Sequence, residues 1–181
     1  MGLRGYIKSL RQYRHWHRLV GTSLAIFFLI SALTGILLAL KKDVAVLQPP
    51  SQKGQSKELA EWLPVAQIAE RATLALQEAR PGLSSHAIDR LDVRPSKGMV
   101  KVLFEKGYWE VQVDGSSGEV LSIARRHSDW IEALHDGSIV SDTFKLISMH
   151  AIGLGLLVLV GSGLWLWYGP RLIRKIKKRQ T

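Results

Sequence analysis

The sequence contains no cysteine. That excludes disulfides, iron–sulfur clusters, covalently attached c-type haem and thiol catalysis. Any part of the chain in an oxidising compartment must hold together by packing alone. Charge is missing from two long stretches. Leu19 to Leu40 carries none, and Leu146 to Gly169 carries none unless His150 is protonated. Each stretch meets the roughly 20-residue length of a bilayer-spanning helix. Acidic residues are missing from both ends of the chain. Residues 1–18 hold Arg4, Lys8, Arg11, Arg14 and Arg18, and the tail holds Arg171, Arg174, Lys175, Lys177, Lys178 and Arg179.

Those ends account for the net charge of +10 over 181 residues. In a soluble protein such a balance would point to nucleic acid. Here the bases flank two apolar spans, and the positive-inside rule explains them. The expectation is no nucleic-acid partner, a lipid bilayer as environment, the bacterial inner membrane as location, both termini cytoplasmic and the middle of the chain periplasmic. Lys41 and Lys42 are a smaller opposing signal at the outer end of the first span. The apolar part of that span exceeds the roughly 7–15 residues of a signal-peptide core, so it is expected to be retained.

The organisation expected is a basic arm (1–18), a first transmembrane helix (19–42), a linker (43–57), a soluble domain (58–126), an interfacial segment (127–143), a second transmembrane helix (144–169) and a basic tail (170–181). The linker is rich in Pro49, Pro50, Ser51 and Gly54. In the soluble part, Val65, Ile68, Ala69, Ala72 and Leu76 recur at helical spacing, and Pro81-Gly82 ends the helix. "HAIDRLDVRP" and "GMVKVLFEKGYWEVQVDGSSGEVLSI" read as four short strands joined at Lys106-Gly107 and Asp114–Gly118. One helix before an antiparallel meander is a small α+β unit. At about 65 residues it is marginal alone. The fold class is therefore a two-span membrane α-helical protein with an inserted α+β domain. Trp130, Ile131 and Leu134 form the apolar face of a short helix after it.

The order of short motifs resembles a known family. Leu63-Pro64-Val65-Ala66 opens the helix, and Tyr108-Trp109-Glu110-Val111 and Gly118-Glu119-Val120-Leu121 lie in the meander. This is similar to the PepSY domain. The flanks resemble the PepSY-associated transmembrane family: His17 and Gly21 open the first span and Thr34-Gly35 close it. Leu134-His135-Asp136-Gly137 precedes the last span, and Gly163-Leu164-Trp165-Leu166-Trp167 ends it. The resemblance implies a relation to ferric-siderophore reductases, which have four spans, carry b-type haem on span histidines and serve iron uptake. This chain has two spans, so a homodimer or a larger membrane complex would be needed to match them. It also implies a second role, because PepSY domains elsewhere regulate peptidases.

Histidine is the usual axial ligand of b-type haem, since a neutral imidazole binds iron and can be buried. His150 stands inside the second span, where an ionisable residue is a functional hypothesis by default. Gly153 and Gly161 lie close to its face. His135, which the resemblance marks as a ligand, sits 15 residues earlier. His17 and His15 stand at the cytoplasmic end of the first span. They are two residues apart and point in different directions; His17 shares its face with Gly21. The blander alternative for each is an interfacial or hydroxyl-bonded imidazole. His17 and His150 are too far apart in depth to share one iron, so two haems are expected. His150 would hold the outer one with His135 or a symmetry mate, and His17 would contribute to the inner one.

No nucleophile–base–acid arrangement stands out, and no glycine-rich turn joins a strand to a helix as a dinucleotide site requires. If the chain turns over a substrate, haem chemistry would do it. The leading expectation is a haem-b electron-transfer protein delivering electrons to a periplasmic acceptor. The alternatives are a membrane-anchored PepSY binding module that meets a protein partner, or an accessory subunit without its own cofactor.

Overall fold

A computed structural model describes residues 3–178 of the chain; Arg179 of the basic tail lies outside the described residues. The elements run α1 (Leu3–Ala39), α2 (Val65–Ala79), β1 (Ile88–Arg94), β2 (Met99–Phe104), β3 (Trp109–Asp114), β4 (Val120–Arg125), α3 (His127–Asp136) and α4 (Asp142–Lys178). The chain divides into a helical unit (Met1–Gly35 with Ala133–Thr181) and a central unit (Ile36–Glu132).

Both long helices run well past their apolar cores. The basic arm continues into the first span as one helix, and the basic tail continues the second span through Pro170. Each is long and apolar enough to cross a membrane. With only 6% of either apolar window covered by protein, their outer surfaces require lipid or a second subunit.

In the central unit the four strands form an antiparallel sheet in the order β1-β2-β3-β4. Alternation splits the residues of β2 and β3 between two faces. Val100, Val102, Phe104, Trp109, Val111 and Val113 face α2, which contributes Ile68, Ala72 and Leu76 at intervals of four to this core. Pro64 is the N-cap residue of α2, one position earlier than a first-turn proline. Truncating Ile68 or Leu76 to alanine would cost about 2–5 kcal/mol.

The other sheet face is polar yet also buried. It carries Lys101, Glu110, Gln112 and Asp114, all within 1% exposure. The linker is what covers it. Gln112 Oε1 accepts from the Gln52 backbone N–H at 2.7 Å, and its amide donates to the Pro50 carbonyl at 3.1 Å. Asp114 Oδ2 accepts from the Gln55 N–H at 2.6 Å. Gly54 N–H donates to the Lys97 carbonyl at 2.8 Å. A Cβ on Gly54 would stand 1.9 Å from the Gly98 carbonyl oxygen, so only glycine permits this approach. The proline-rich linker is thus a strap pinned to β3.

Beneath the strap lies a buried ionic network. Lys101 Nζ donates to Glu110 Oε1 at 3.0 Å, Arg126 donates to Glu110 Oε2 at 3.0 Å, and Arg126 Nε donates to Asp129 at 2.9 Å. Glu110 Oε1 also accepts from the Gln112 amide at 2.7 Å. Two cations and an amide thereby satisfy a fully buried carboxylate, as burial of charge demands.

Candidate functional site

Within the helical unit α1 and α4 pack antiparallel along a repeating seam. A Cβ added to Gly169 would meet Leu10, one added to Gly155 would meet Leu24 and Val20, and one added to Gly21 would meet Leu159. Gly155, Ser162 and Gly169 are the buried residues of α4 and recur every seven positions. That spacing keeps small side chains on one seam, where they leave room for Leu10, Val20 and Leu24 of α1.

Two histidines are held by the same device, His17 of α1 on α4 within this seam and His135 of α3 on α1. His17 Nδ1 on α1 lies 2.8 Å from Ser162 Oγ on α4. Ser162 already donates its hydroxyl proton to the Val158 carbonyl, at 2.6 Å. Its oxygen therefore accepts, His17 Nδ1 carries the proton, and Nε2 keeps its lone pair. The carbon Cε1 of the same ring lies 3.6 Å from where a Cβ on Gly163 would stand. At the other end of α1, His135 Nδ1 lies 2.9 Å from Thr34 Oγ1. Thr34 donates to the Ile30 carbonyl at 2.6 Å, so His135 is again the donor and its Nε2 is again free. A Cβ on Gly35 would come within 3.4 Å of His135 Cε1. Each clasp is thus a hydroxyl residue followed by glycine: the hydroxyl fixes the ring's tautomer, and the glycine leaves room for its edge. His17 and Thr34 are 17 residues apart, about 26 Å along the helix.

His150 shows the same tautomer without the clasp. Its Nδ1–H donates to the Leu146 carbonyl of its own helix at 2.7 Å, which leaves Nε2 bare. Its ring faces the opposite way. His135 lines a cavity with Ser148 and Ile152 of α4, whereas His150 lines an apolar groove with Leu146, Met149, Gly153 and Leu157. At about 100° per residue, His150 is roughly on the far side of α4 from Ser148 and Ile152. One chain therefore does not bring His150 and His135 to the same side of the helix. His15 is exposed and sets its ring edge-on to Trp16 at 6.1 Å, away from the seam. Gly153 shares the His150 groove, but Gly161 lies beside Tyr13, Trp16 and Trp165 instead. Trp165 also donates to Ser9 Oγ at 3.1 Å.

The family described as the PepSY-associated TM region matches residues 14–181, which takes in all four of these histidines. The chain belongs to that family. It is a membrane protein whose PepSY module sits between two spanning helices. No curated protein matches the chain.

The donor set of this PepSY-associated protein suits haem. Axial ligation needs a neutral imidazole with a free nitrogen, oriented by a hydrogen bond from the other nitrogen. His17, His135 and His150 each present Nδ1 to a hydrogen-bond partner and leave Nε2 without one among the described residues. Among the described residues, no three His, Asp or Glu side chains gather as a group able to hold a bare metal ion. The cavity beside His135 holds about 190 Å³. That is below the roughly 300–1,000 Å³ of small-molecule sites, so a macrocycle there would need walls from a second chain. The groove beside His150 is larger, about 680 Å³, and almost wholly apolar.

Thr34 and Ser162 are the site residues that sequence reasoning misses as partners. The Thr34-Gly35 pair is visible as a family motif, but nothing local ties it to a histidine 101 residues away. The seven-residue spacing of Gly155, Ser162 and Gly169 is the signal that could have found the seam.

Proposed function

We propose that this PepSY-associated protein is a haem-b electron-transfer protein of the bacterial inner membrane, with both termini cytoplasmic and the PepSY module periplasmic. His17 would hold an inner haem and His135 and His150 outer haem iron, with a homodimer or a partner subunit completing each coordination sphere. The observation that carries the reading is the shared state of the three imidazoles: Nδ1 donates to a hydroxyl or carbonyl, and Nε2 is left to bind. When bound, haem supplies one-electron exchange. The chain's own part is to fix ring orientation, hold two sites at different depths and keep water from them. His15, turned out beside Trp16, is not needed. The family resemblance makes reduction of an exported ferric complex the natural output.

The alternative, an anchored module that binds a protein through its sheet, has less room. Both faces of β2 and β3 are already covered, one by α2 and the other by the strap. The test is the haem-to-protein ratio of the full chain and of His17→Ala, His135→Ala and His150→Ala, purified after expression with ample haem. Loss of haem is expected in each of the three variants. A chain that inserts, dimerises and never holds haem would favour the anchored module.

A further inference from the structure

The central unit contains a second cavity, of about 440 Å³, that has no part in the helical site. Lys42, Gln48, Ser51, Arg94, Lys97 and Lys101 are among its lining residues. Four of these are cations. Two are charge-compensated: Arg94 is clamped on Asp92 through Nε and Nη2 at 2.9 and 2.6 Å, and Lys101 is paired with Glu110. Among the described residues neither Lys42 nor Lys97 has an acidic partner. The cavity thus carries a surplus of two positive charges.

Lys101 makes this more than a basic surface. Its side chain is 2% exposed, and Glu110 is the acceptor for one of its N–H groups. An ammonium has three donors, and a buried one needs them answered. Gln48 Oε1, on the wall of the same cavity, is buried without a hydrogen-bond partner. The cavity therefore offers ammonium donors from three separate lysines and one free acceptor.

We propose that this cavity binds a phosphate group. A carboxylate is best read by the planar fork of arginine, and the fork of Arg94 is already filled by Asp92. Three lysine ammoniums act as point charges that suit a tetrahedral anion with several oxygens. A P–OH or a headgroup hydroxyl would donate to Gln48 Oε1. Lys42 follows the end of α1 by three residues, so the phosphate source is either an anionic lipid headgroup or a soluble phosphate.

The experiment uses the full chain and the exposed-lysine variants Lys97→Gln and Lys42→Gln/Lys97→Gln, which leave the Lys101–Glu110 pair intact. One arm titrates inorganic phosphate into detergent-solubilised protein at constant ionic strength and reads the melting temperature. The other reconstitutes the protein into phosphatidylcholine bilayers with or without phosphatidylglycerol and counts retained lipid by native mass spectrometry. Stabilisation by phosphate that is lost in the variants assigns a soluble ligand. Retained phosphatidylglycerol that falls about fivefold per lysine removed assigns a headgroup. If the double variant matches wild type in both arms, the proposal is overturned.

Discussion

His135 and Thr34 are joined across 101 residues of sequence by a 2.9 Å hydrogen bond in which the imidazole is the donor. His17 and Ser162 repeat the arrangement at the other end of α1, at 2.8 Å. The repetition gives the helical unit two equivalent points at which a ring is turned and its free nitrogen chosen.

Thr34→Val keeps the shape and removes the acceptor. It is expected to weaken haem retention at the outer site about 10- to 100-fold, the range for losing a group that orients a metal ligand. Thr34→Ser should restore retention. Optical titration of apo-protein with haem measures both. Equal affinity in all three proteins would mean that Thr34 only packs.

Ser162→Ala should do the same at the inner site, and the two effects should add. The clasps are about 26 Å apart along α1, beyond the distance at which single changes couple. Redox titration of the double variant should show two independent losses. Strong non-additivity would indicate one shared site.

Gly155→Leu should damage the inner clasp, which joins α1 to α4. A Cβ there would sit 2.1 Å from Leu24 Cδ1, which can rotate, and 3.6 Å from Val20 Cγ1. Alanine is therefore tolerable, but leucine would force the helices apart at a cost of about 1–3 kcal/mol. Crosslinking between cysteines introduced on α1 and α4 would report the separation. Gly153→Leu, where an added Cβ meets nothing, should leave this seam intact.

Acid should release the strap. Burial pushes the Asp114 carboxyl up, but hydrogen bonds from the Ser117, Ser116 and Gln55 backbones and the Ser116 hydroxyl outweigh it, so the net shift is down. The stabilisation is fully present above the unfolded value, about 3.9, and is lost as pH falls through the lower folded one. Proteolysis at residues 50–55 should rise below pH of about 4 in wild type. In Asp114→Asn it should be high at every pH.

Glu110→Gln should destabilise the central unit by about 3–5 kcal/mol, because it leaves Lys101 and Arg126 buried without their carboxylate. Thermal unfolding of the full chain followed by tryptophan fluorescence measures it. A shift within error would show that water enters beneath the strap.

How far such features can be read from the sequence depends on how local their causes are. The spans are legible because a charge-free run such as Leu19–Leu40 has one physical solution in a bilayer. The meander is legible because alternation and the glycines at 107 and 118 are local. His17 is legible as the inward histidine because Gly21 shares its face, and Gly21 does meet Leu159. Ser162 and Thr34 are harder, since a hydroxyl in a span looks the same whether or not a histidine reaches it. Only the register of α1 on α4 gives Ser162 its histidine, and only the placing of α3 against α1 gives Thr34 its own. His150 and His135 mislead in the opposite way: they are close in sequence to one membrane end, yet His135 of α3 meets the side of α4 that carries Ser148 and Ile152, while His150 lines the other. The burial of Gln112 and Asp114 is not legible locally, because the strap that covers them comes from residues about 60 positions earlier.

The central claim is that these imidazoles hold iron, and the visible absorption spectrum of the detergent-purified full chain tests it most directly. Expressed with ample haem, the protein should show a Soret band and, after dithionite reduction, sharp α and β bands. These bands should diminish in His17→Ala and in His135→Ala. A featureless spectrum from correctly inserted wild-type protein would contradict the account and leave the two clasps as structural joints between helices.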